Sequence, residues 1–254
     1  MKQPVAETLS GLGRLTIVAI EAFRSIFTRA IRWSDVIEQL HFIGVKSQAV
    51  VIVTGGFTGM VLCVQTYIQF HRVKMDTATL AVVSVSMCSE LGPVLTALMV
   101  AGRVGAAMAA ELGTMRVTEQ IDALRTLATH PIDYLVVPRL LATLFALPLL
   151  TAESIAVGIA AAYLVGVFLL GIDPAYAWYN MLRYTGDVDV LMGIIKSFVF
   201  GGIIAIIGTF KGLTCRDGAE GVGRATTEAV VSASISILIT NFFLTVFLTR
   251  LLVK

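Results

Sequence analysis

Charged side chains are scarce in this chain, since Asp, Glu, Lys and Arg together make up only 14% of its 254 residues. Soluble domains usually carry about 25% charged residues. Hydrophobic residues account for 57% of the chain, and the mean hydropathy is +0.86. The net charge of +2 is too small to attract nucleic acid. The composition therefore predicts an integral membrane protein that has no nucleic-acid partner.

Residues suited to metal binding, disulfide bonding or covalent catalysis are few. The three cysteines, Cys63, Cys88 and Cys215, lie far apart and show neither CxxC nor Cys/His spacing, so we expect small buried residues without metal or disulfide. The three histidines are scattered, and none lies beside a plausible nucleophile. The sequence thus predicts no catalytic residues, no metal site and a chain that is not an enzyme.

A nucleotide-binding loop is absent from the sequence as well. No GxxxxGK[ST] motif occurs, and the run Gly44-Val45-Lys46-Ser47 lacks the glycine pattern that cradles phosphates. The glycines between positions 218 and 223 follow no predicted strand and suit a basic membrane-side loop. We therefore expect no cofactor in this chain, and we expect ATP to be bound by a partner.

The chain contains several long apolar runs. A helix needs about 20 apolar residues to cross a bilayer, and such runs occur near 48–70, 77–101, 138–170, 191–210 and 229–252. The stretch from Leu9 to Trp33 mixes apolar residues with arginines, which is typical of a helix lying in the membrane interface. The predicted fold is an all-α integral membrane protein with an amphipathic N-terminal interfacial helix, about five transmembrane helices and a short cytoplasmic helix.

The basic residues predict how these helices are oriented. They concentrate before the first crossing, between 103 and 139, and between 211 and 224, and such regions are normally cytoplasmic. The other side receives only Arg72, Lys74, Arg183, Lys196, Arg250 and Lys254. The amino terminus is therefore predicted to be cytoplasmic and the carboxyl terminus periplasmic. We predict one domain, residues 1–254, with an interfacial segment (1–46) and a transmembrane region (47–254).

Several charged residues interrupt the apolar runs. Glu90, Arg103 and Glu111 occur in that order in and after the second apolar run, and Glu153 lies in the third apolar run. Each such charge costs about 2.5–3.5 kcal/mol at the centre of a spanning helix, so these side chains should face a protein interior or a wet cavity. Pro93 removes a backbone donor and favours a kink or break near Leu91 and Gly92.

The first crossing carries two further patterns. Gly55 and Gly59 have the spacing that lets helix backbones approach closely, most simply within the chain. Further along the same crossing, five residues are spaced i, i+3, i+4, i+7 and i+8 and therefore share one face of the helix. They are Leu62, Gln65, Thr66, Gln69 and Phe70. This mixed face either lines a cavity for an amphiphile or reaches the lipid head groups at the helix end.

A short amphipathic helix is predicted from Met115 to Ala128. Apolar residues recur on one face and charged residues occupy the others. The helix either rests on the membrane surface or docks to a cytosolic partner. Docking is favoured because Arg116 and Glu119 provide directional, charge-assisted contacts that lipid adhesion does not require.

Four sequence motifs, taken together, are similar to those of a known protein family. In chain order they are ELGPVLTALMVAGRVGAAMAAELGTMRVTEQIDAL, HPIDYLVVPRLLA, IKSFVFG at 195–201 and GVGRATTEAVV at 221–231. From roughly Gly44 to its end the chain resembles the MlaE/YrbE family. Members of that family are permease subunits of ABC transporters that move phospholipids or related hydrophobic lipids between membranes, as in the maintenance of outer-membrane lipid asymmetry.

The resemblance implies partners and a location. It implies a homodimer with a lipid cavity between its subunits, in the bacterial cytoplasmic (inner) membrane. A cytosolic ABC ATPase dimer would bind the ATP, and an MCE-domain protein would bind the outer face. The resemblance also points to a small STAS-type cytosolic subunit and to a phospholipid substrate.

The resemblance also assigns residues. It makes the short cytoplasmic helix a coupling helix for the ATPase, matched through Glu111, Thr114, Met115, Glu119 and Gln120. With Arg116, which the charge pattern adds, the predicted ATPase-coupling residues are Glu111, Met115, Arg116, Glu119 and Gln120. The resemblance places Leu62, Gln65 and Glu90 near the lipid cavity, and the helical face adds Gln69 and Phe70 to the predicted substrate-binding residues. One departure matters, because many relatives have Arg before ELGP whereas this chain has Ser89. The motif itself therefore supplies no neighbouring cation for Glu90.

Two other function classes are compatible with a membrane protein of this kind. An intramembrane enzyme would need a catalytic constellation, which the scattered histidines do not provide. A self-sufficient ion-coupled transporter would use Glu90 and Glu153 as proton sites. Copurification of an ATPase would discriminate against the ion-coupled transporter.

Overall fold

The protein is helical throughout the part of the chain that the structure describes. The computed structural model describes residues 2–28 and 31–252, without the side chains of 2–9 and 12, and no strand occurs in these ranges. Arg29 and Lys254, which belong to the basic residues used to predict orientation, lie outside the described residues. The prediction of an all-α membrane protein is confirmed.

The α-helices are numbered in chain order. They are α1 (Lys2–Thr28), α2 (Trp33–Ile43), α3 (Gln48–Arg72), α4 (Thr79–Ser86), α5 (Gly92–Val100), α6 (Ala106–Val117), α7 (Gln120–Thr126), α8 (Val137–Leu164), α9 (Pro174–Tyr184), α10 (Asp187–Leu213) and α11 (Gly218–Leu252). Wider π-helical turns occur at Met87–Leu91, Ala101–Gly105, Ile132–Val136 and Val165–Leu169, and 3₁₀ turns occur at Val45–Ser47 and Asp76–Ala78.

Five helical segments of the described chain are long and apolar enough to cross a membrane. They are Trp33–Arg72, Asp76–Val117, Ile132–Leu169, Asp187–Leu213 and Gly218–Leu252. The predicted number of crossings is therefore confirmed. Helix α1 is not among these segments, and it exposes Ile17, Ile20, Phe23 and Phe27. That exposed apolar face agrees with the interfacial helix predicted for the amino-terminal stretch.

The second crossing does not break at Pro93. Its helical segment runs over 42 residues, Asp76–Val117, which corresponds to about 60 Å at 1.5 Å per residue and exceeds the thickness of one bilayer. Before the proline the helix widens into the π turn Met87–Leu91, where the Gly92 N–H donates to the Met87 carbonyl five residues back. The extra residue in this turn lets the helix pass a proline without ending.

The short cytoplasmic helix predicted from Met115 to Ala128 is wrong as a single element. Helix α6 continues to Val117, and α7 is a separate helix of seven residues. Between them Glu119 takes a left-handed conformation with φ +61°, which terminates the first helix. Sequence reasoning missed this break because the apolar spacing runs through it and Glu carries no local signal for a positive φ.

The chain forms two compact units, each built from three separated stretches. Unit 1 consists of Met1–Ile43, Val100–Phe145 and Gly201–Ser236, and unit 2 of Gly44–Met99, Ala146–Phe200 and Ile237–Lys254. In unit 1, Ala22 of α1 is buried against Leu140 and Leu144 of α8. In unit 2, Cys63, Leu80, Met87 and Met181 are the larger buried residues of the core.

The glycine pair of the first crossing packs within unit 2. A Cβ atom on Gly59 would overlap the carbonyl oxygen of Gly158 on α8, and one on Gly55 would lie 2.6 Å from the Ser154 hydroxyl oxygen. Side chains at these positions would push α3 and α8 apart. The interpretation of the glycines as internal packing residues is therefore confirmed.

Candidate functional site

Glu90 lies in the π turn Met87–Leu91 of unit 2, opposite a lysine from α10. The Nζ atom of Lys196 donates to Glu90 Oε1 at 2.6 Å, across 106 residues of chain. The lysine side chain is 0% exposed and the glutamate side chain is 36% exposed. The cation that the ELGP motif lacks at Ser89 therefore comes from α10, and sequence reasoning missed it.

All three ammonium N–H groups of Lys196 have acceptors. Besides Glu90, they are the Ser89 carbonyl oxygen at 2.9 Å and the Thr245 hydroxyl at 2.8 Å. Pro93 has no N–H to offer the carbonyl four residues before it, which is that of Ser89. The proline thus leaves a backbone acceptor inside the membrane, and the lysine donates to it.

Helix α11 completes the shell around the Glu90 carboxylate. Asn241 Nδ2 donates to Oε2 at 3.1 Å, and the Thr245 hydroxyl lies 2.9 Å from Oε1. The same hydroxyl lies 2.9 Å from the Asn241 carbonyl oxygen, and its single proton can serve only one of the two acceptors at a time. We call Glu90, Lys196, Asn241 and Thr245 the polar cluster.

A glycine one turn before Lys196 allows the helices to approach. A Cβ atom on Gly193 would overlap the backbone carbonyl oxygen of Cys88 in the π turn. Only glycine leaves α10 close enough to bring the lysine amine to Ser89 and Glu90. The glycine and the proline therefore act together to build the polar cluster.

The polar cluster contains the Lys196–Glu90 ion pair, and both residues belong to apolar segments long enough to span a membrane. Breaking such a buried pair by removing one partner typically costs about 3–5 kcal/mol, because the remaining charge is uncompensated. The partial exposure of Glu90, beside a fully buried lysine, leaves the carboxylate as the part of the pair that another molecule can reach.

The predicted substrate face of α3 is only partly open. Leu62 packs against the core of unit 2, and Phe70 is half-buried. Gln65 and Gln69 are exposed. Within the described chain, no hydrogen bond or ion pair joins these side chains to Glu90, so their assignment to a substrate site stays a prediction.

Glu153, the acid of the third crossing, lies half-buried in α8. Among the described residues no hydrogen bond or ion pair reaches its carboxylate. The neighbouring Thr151 and Ser154 side chains are buried, but neither donates to it. Glu153 thus differs from Glu90, whose carboxylate is held by three side chains.

The first predicted ATPase-coupling residue, Glu111, has a partner inside unit 1. Arg139 Nη2 of α8 lies 2.7 Å from Glu111 Oε1, and Nη1 of the same arginine donates to the Leu135 carbonyl at 2.7 Å. The arginine is buried, whereas the glutamate side chain is 55% exposed. An ion pair therefore ties the last turns of α6 to the start of α8.

Arg116, also predicted to couple, folds back onto α7. Its Nη1 lies 2.8 Å from both carboxylate oxygens of Asp122, and Arg125 Nη1 lies 3.3 Å from Asp122 Oδ1. Sequence periodicity placed these charges on outer faces of one helix. The break at Glu119 instead brings Arg116 and Asp122 together across the turn.

The remaining coupling residues divide between core and surface. Met115 packs against a buried cluster that holds Ile121 of α7. Glu119 and Gln120 are exposed at the turn, and their side chains make no hydrogen bond within the described residues. We call the segment from Val117 to Gln120 the elbow. Its residues Glu119 and Gln120 are exposed, whereas Ile121 packs the start of α7 into the buried cluster.

The three cysteines are free, and each is buried as the sequence predicts. Among the described residues, no group of three or more His, Cys, Asp or Glu side chains could hold a metal ion.

Comparison with known proteins settles the family. The family model described as Permease MlaE matches residues 36–247. This chain belongs to the MlaE permease family. The family match spans every motif that carried the resemblance, and the prediction of this family is confirmed.

Similar proteins cover most of the chain. A "Probable ABC transporter permease protein" of Rickettsia bellii is 45% identical over 234 residues, which is 92% of this chain and 90% of that relative. The "Intermembrane phospholipid transport system permease protein MlaE" of Haemophilus influenzae is 38% identical over 210 residues, or 82% and 80% of the two chains. "Protein TRIGALACTOSYLDIACYLGLYCEROL 1, chloroplastic" of Arabidopsis thaliana is 39% identical, covering 91% of this chain and 66% of that relative. Together with its five apolar helices, these likenesses make this MlaE-family chain a multi-pass membrane protein.

Proposed function

We propose that this chain is the permease subunit of an ABC transporter that moves phospholipids or related lipids between membranes. Membership of the MlaE permease family carries the proposal, and the name of the Haemophilus influenzae relative supports the lipid substrate. The sequence holds no phosphate-binding loop, so ATP hydrolysis belongs to a separate cytosolic ATPase dimer. The chain would act in the cytoplasmic membrane of a bacterium.

In the proposed transporter, the polar cluster is part of the lipid-binding site. The Glu90 carboxylate is partly exposed beside a fully buried lysine, and Gln65 and Gln69 are exposed on α3. In a homodimer whose lipid cavity lies between subunits, these groups would offer hydrogen bonds to a head group while the neighbouring apolar surface accepts the acyl chains. An MCE-domain protein would receive the lipid on the outer face.

In the proposed transporter, the elbow is the region that contacts the ATPase. Glu119 and Gln120 are exposed there, and Arg116 is paired within the chain. We assign the direct contact with the ATPase to the exposed pair, whereas Arg116 and Met115 hold the elbow in position. The Glu111–Arg139 ion pair would carry a movement of the elbow into α8. A small STAS-type subunit would bind beside the ATPase.

One experiment tests partner and cargo together. The tagged chain is isolated from native membranes, and the copurifying proteins and bound lipids are identified by mass spectrometry. We expect an ATPase that has a phosphate-binding loop, an MCE-domain protein and phospholipid. In proteoliposomes of this complex, transfer of a labelled phospholipid should require ATP and should stop when the loop lysine of the ATPase is replaced. Isolation of the chain without an ATPase, with lipid transfer that ignores ATP, would overturn the proposal.

A second candidate function rests on Glu153. Its carboxylate lies in a membrane-spanning helix without a partner among the described residues, which is typical of a proton-coupled transporter. Glu90 fits that role less well because Lys196 holds it. Lipid transfer driven by a proton gradient, and abolished by Glu153→Gln, would favour this candidate over the ABC permease.

A further inference from the structure

A cavity of about 410 Å³ lies in unit 1, and no residue of the polar cluster or of the elbow lines it. Its size falls within the range of about 300–1,000 Å³ that is usual for ligand pockets. The interfacial helix α1 forms one wall, α7 forms another, and the end of α10 closes the cavity. Of the residues that line it, the proposed transport cycle uses only Arg116, which holds the elbow in position.

Three arginines line the cavity. Arg14 of α1 is exposed, and no ion pair within the described residues engages it. Arg116 and Arg125 share the single carboxylate of Asp122. Glu21 also lines the cavity, but its Oε1 lies 3.3 Å from His130 Nε2. Positive charge therefore exceeds negative charge here even when the histidine is neutral, which favours an anionic ligand.

The rest of the lining is apolar. Ile17 and Val18 of α1 face the same space as Ile121 of α7 and Phe210 and Leu213 at the end of α10. A free anion would gain nothing from these side chains. An amphiphile would place its charged group at the arginines and the beginning of its hydrocarbon chains along the apolar wall.

The surroundings favour a lipid as the source of that amphiphile. Helix α1 exposes Ile20 and Phe27, at 63% and 86%, on the amphipathic stretch predicted to lie in the interface. A helix of this kind is buried about 5–10 Å into the head-group region. The cavity beside it would then open where lipid phosphates lie.

From these contacts we infer that the cavity binds the phosphate group of an anionic phospholipid from the cytoplasmic leaflet. Arginine suits phosphate because its planar guanidinium donates two parallel hydrogen bonds. The bound phosphate would join Arg14 of α1 to Arg125 of α7, so the lipid would tie the interfacial helix to the elbow. The inference rests on the proposed function for its membrane orientation.

The test compares lipid binding to the purified full-length chain by native mass spectrometry. Equal amounts of phosphatidylglycerol and phosphatidylcholine are offered to the wild type and to Arg14→Gln, Arg125→Gln and the double variant. The loss of one charge-assisted hydrogen bond to the bound phosphate weakens binding by about tenfold. We expect that loss for each single variant and a larger one for the double variant, with phosphatidylcholine binding unchanged.

The matched control is Arg24→Gln. Arg24 is an exposed cation on the same helix and lies outside this cavity, so the control should bind phosphatidylglycerol like the wild type. Arg125→Lys keeps the charge but loses the two parallel hydrogen bonds, so its loss of binding should be smaller than that of Arg125→Gln, which separates electrostatics from misfolding. Equal losses in the Arg14 and Arg24 variants would show that the whole face of α1 attracts anionic lipid, and the site would be refuted.

Soluble glycerol phosphate distinguishes a lipid from a free phosphate. If it displaces phosphatidylglycerol at equal concentration, the apolar wall contributes nothing and the assignment to a lipid is wrong. If the arginine variants bind phosphatidylglycerol normally but no longer bind the ATPase, the cavity is a protein contact and the inference is also wrong. None of these measurements uses transport, so the inference and the proposed function can fail separately.

Discussion

Lys196 on α10 lies with its Nζ atom 2.6 Å from Glu90 Oε1. This ion pair explains how an acid can occupy the second crossing although Ser89 precedes the ELGP motif. The same ammonium donates to the Ser89 carbonyl, so the lysine holds the backbone of the π turn as well as the carboxylate. Removing either partner of the pair should therefore have structural as well as functional effects.

A double-mutant cycle tests this pair. Glu90→Gln should lower the free energy of unfolding by about 3–5 kcal/mol, because it leaves the fully buried Lys196 charge unpaired. Lys196→Met should cost less, because the remaining Glu90 carboxylate is partly exposed. The double variant should lose less than the sum of the two. Denaturant titration of the purified protein measures the three values. Strictly additive losses would mean that the residues do not interact.

Glu90→Lys should be more severe than Glu90→Gln, because it places a second cation beside Lys196. Lipid transfer in proteoliposomes should be lost, and combining it with Lys196→Glu should restore part of the activity by exchanging the charges. Wild-type transfer by a normally expressed Glu90→Lys protein would refute a role of this residue in the cavity.

Gly193→Ala tests the close approach of α10 to the π turn. The added methyl group would overlap the Cys88 carbonyl oxygen, and overpacking of this kind costs about 1–3 kcal/mol. Gly202→Ala is the control on the same helix, because its Cβ would lie 3.7 Å from Leu144 Cδ2 in ordinary contact. The melting temperature should fall for the first variant and stay level or rise for the second. Similar melting temperatures would show that the approach is not tight.

Charge reversal at the elbow should separate contact from support. Glu119→Arg should weaken copurification of the ATPase while membrane insertion stays intact, since this residue lies outside the spanning segments. Arg116→Glu should also disturb the elbow itself, because Arg116 pairs with Asp122. The double change, Arg116→Glu with Glu119→Arg, should be as damaging as the singles.

The control for this series is Glu38→Arg, an exposed acid on α2, which should leave the ATPase bound. ATP hydrolysis in nanodiscs that contain lipid provides a second measurement. Unchanged copurification and hydrolysis in the double variant would make the elbow a solvated surface rather than a docking site.

Cysteine cross-linking tests the proposed homodimer. Gln65→Cys and Gln69→Cys place thiols at exposed positions of α3 and should capture dimers in membranes. The native Cys63 on the same helix is 0% exposed, so the wild type should give no dimer. Native mass spectrometry of the ATPase-bound complex should show two copies of this chain. A complex with a single copy would rule out the homodimer.

Membrane orientation can be measured with two single-cysteine variants in intact cells. Gln120→Cys at the elbow should react with a thiol reagent only after the cytoplasmic membrane is opened, whereas Lys74→Cys, after α3, should react from outside. The opposite pattern would reverse the proposed topology.

Local features of the sequence were enough to predict the membrane class, the number of crossings and the family. Each of these depends on local properties: apolar length, composition and motifs that keep their order along the chain. Glu90 was recognised for the same reason, since an acid inside an apolar run is visible without any knowledge of its neighbours.

The pairing of the charges depends on how the helices pack and could not be predicted from the sequence. Lys196 reaches Glu90 across 106 residues because α10 packs against the π turn at Gly193, and no spacing along the chain encodes that contact. Likewise, Arg116 meets Asp122 only because Glu119 adopts a positive φ. The hydrophobic effect places helices in the membrane by their composition, whereas an ion pair depends on the distance between two atoms, which helix packing sets.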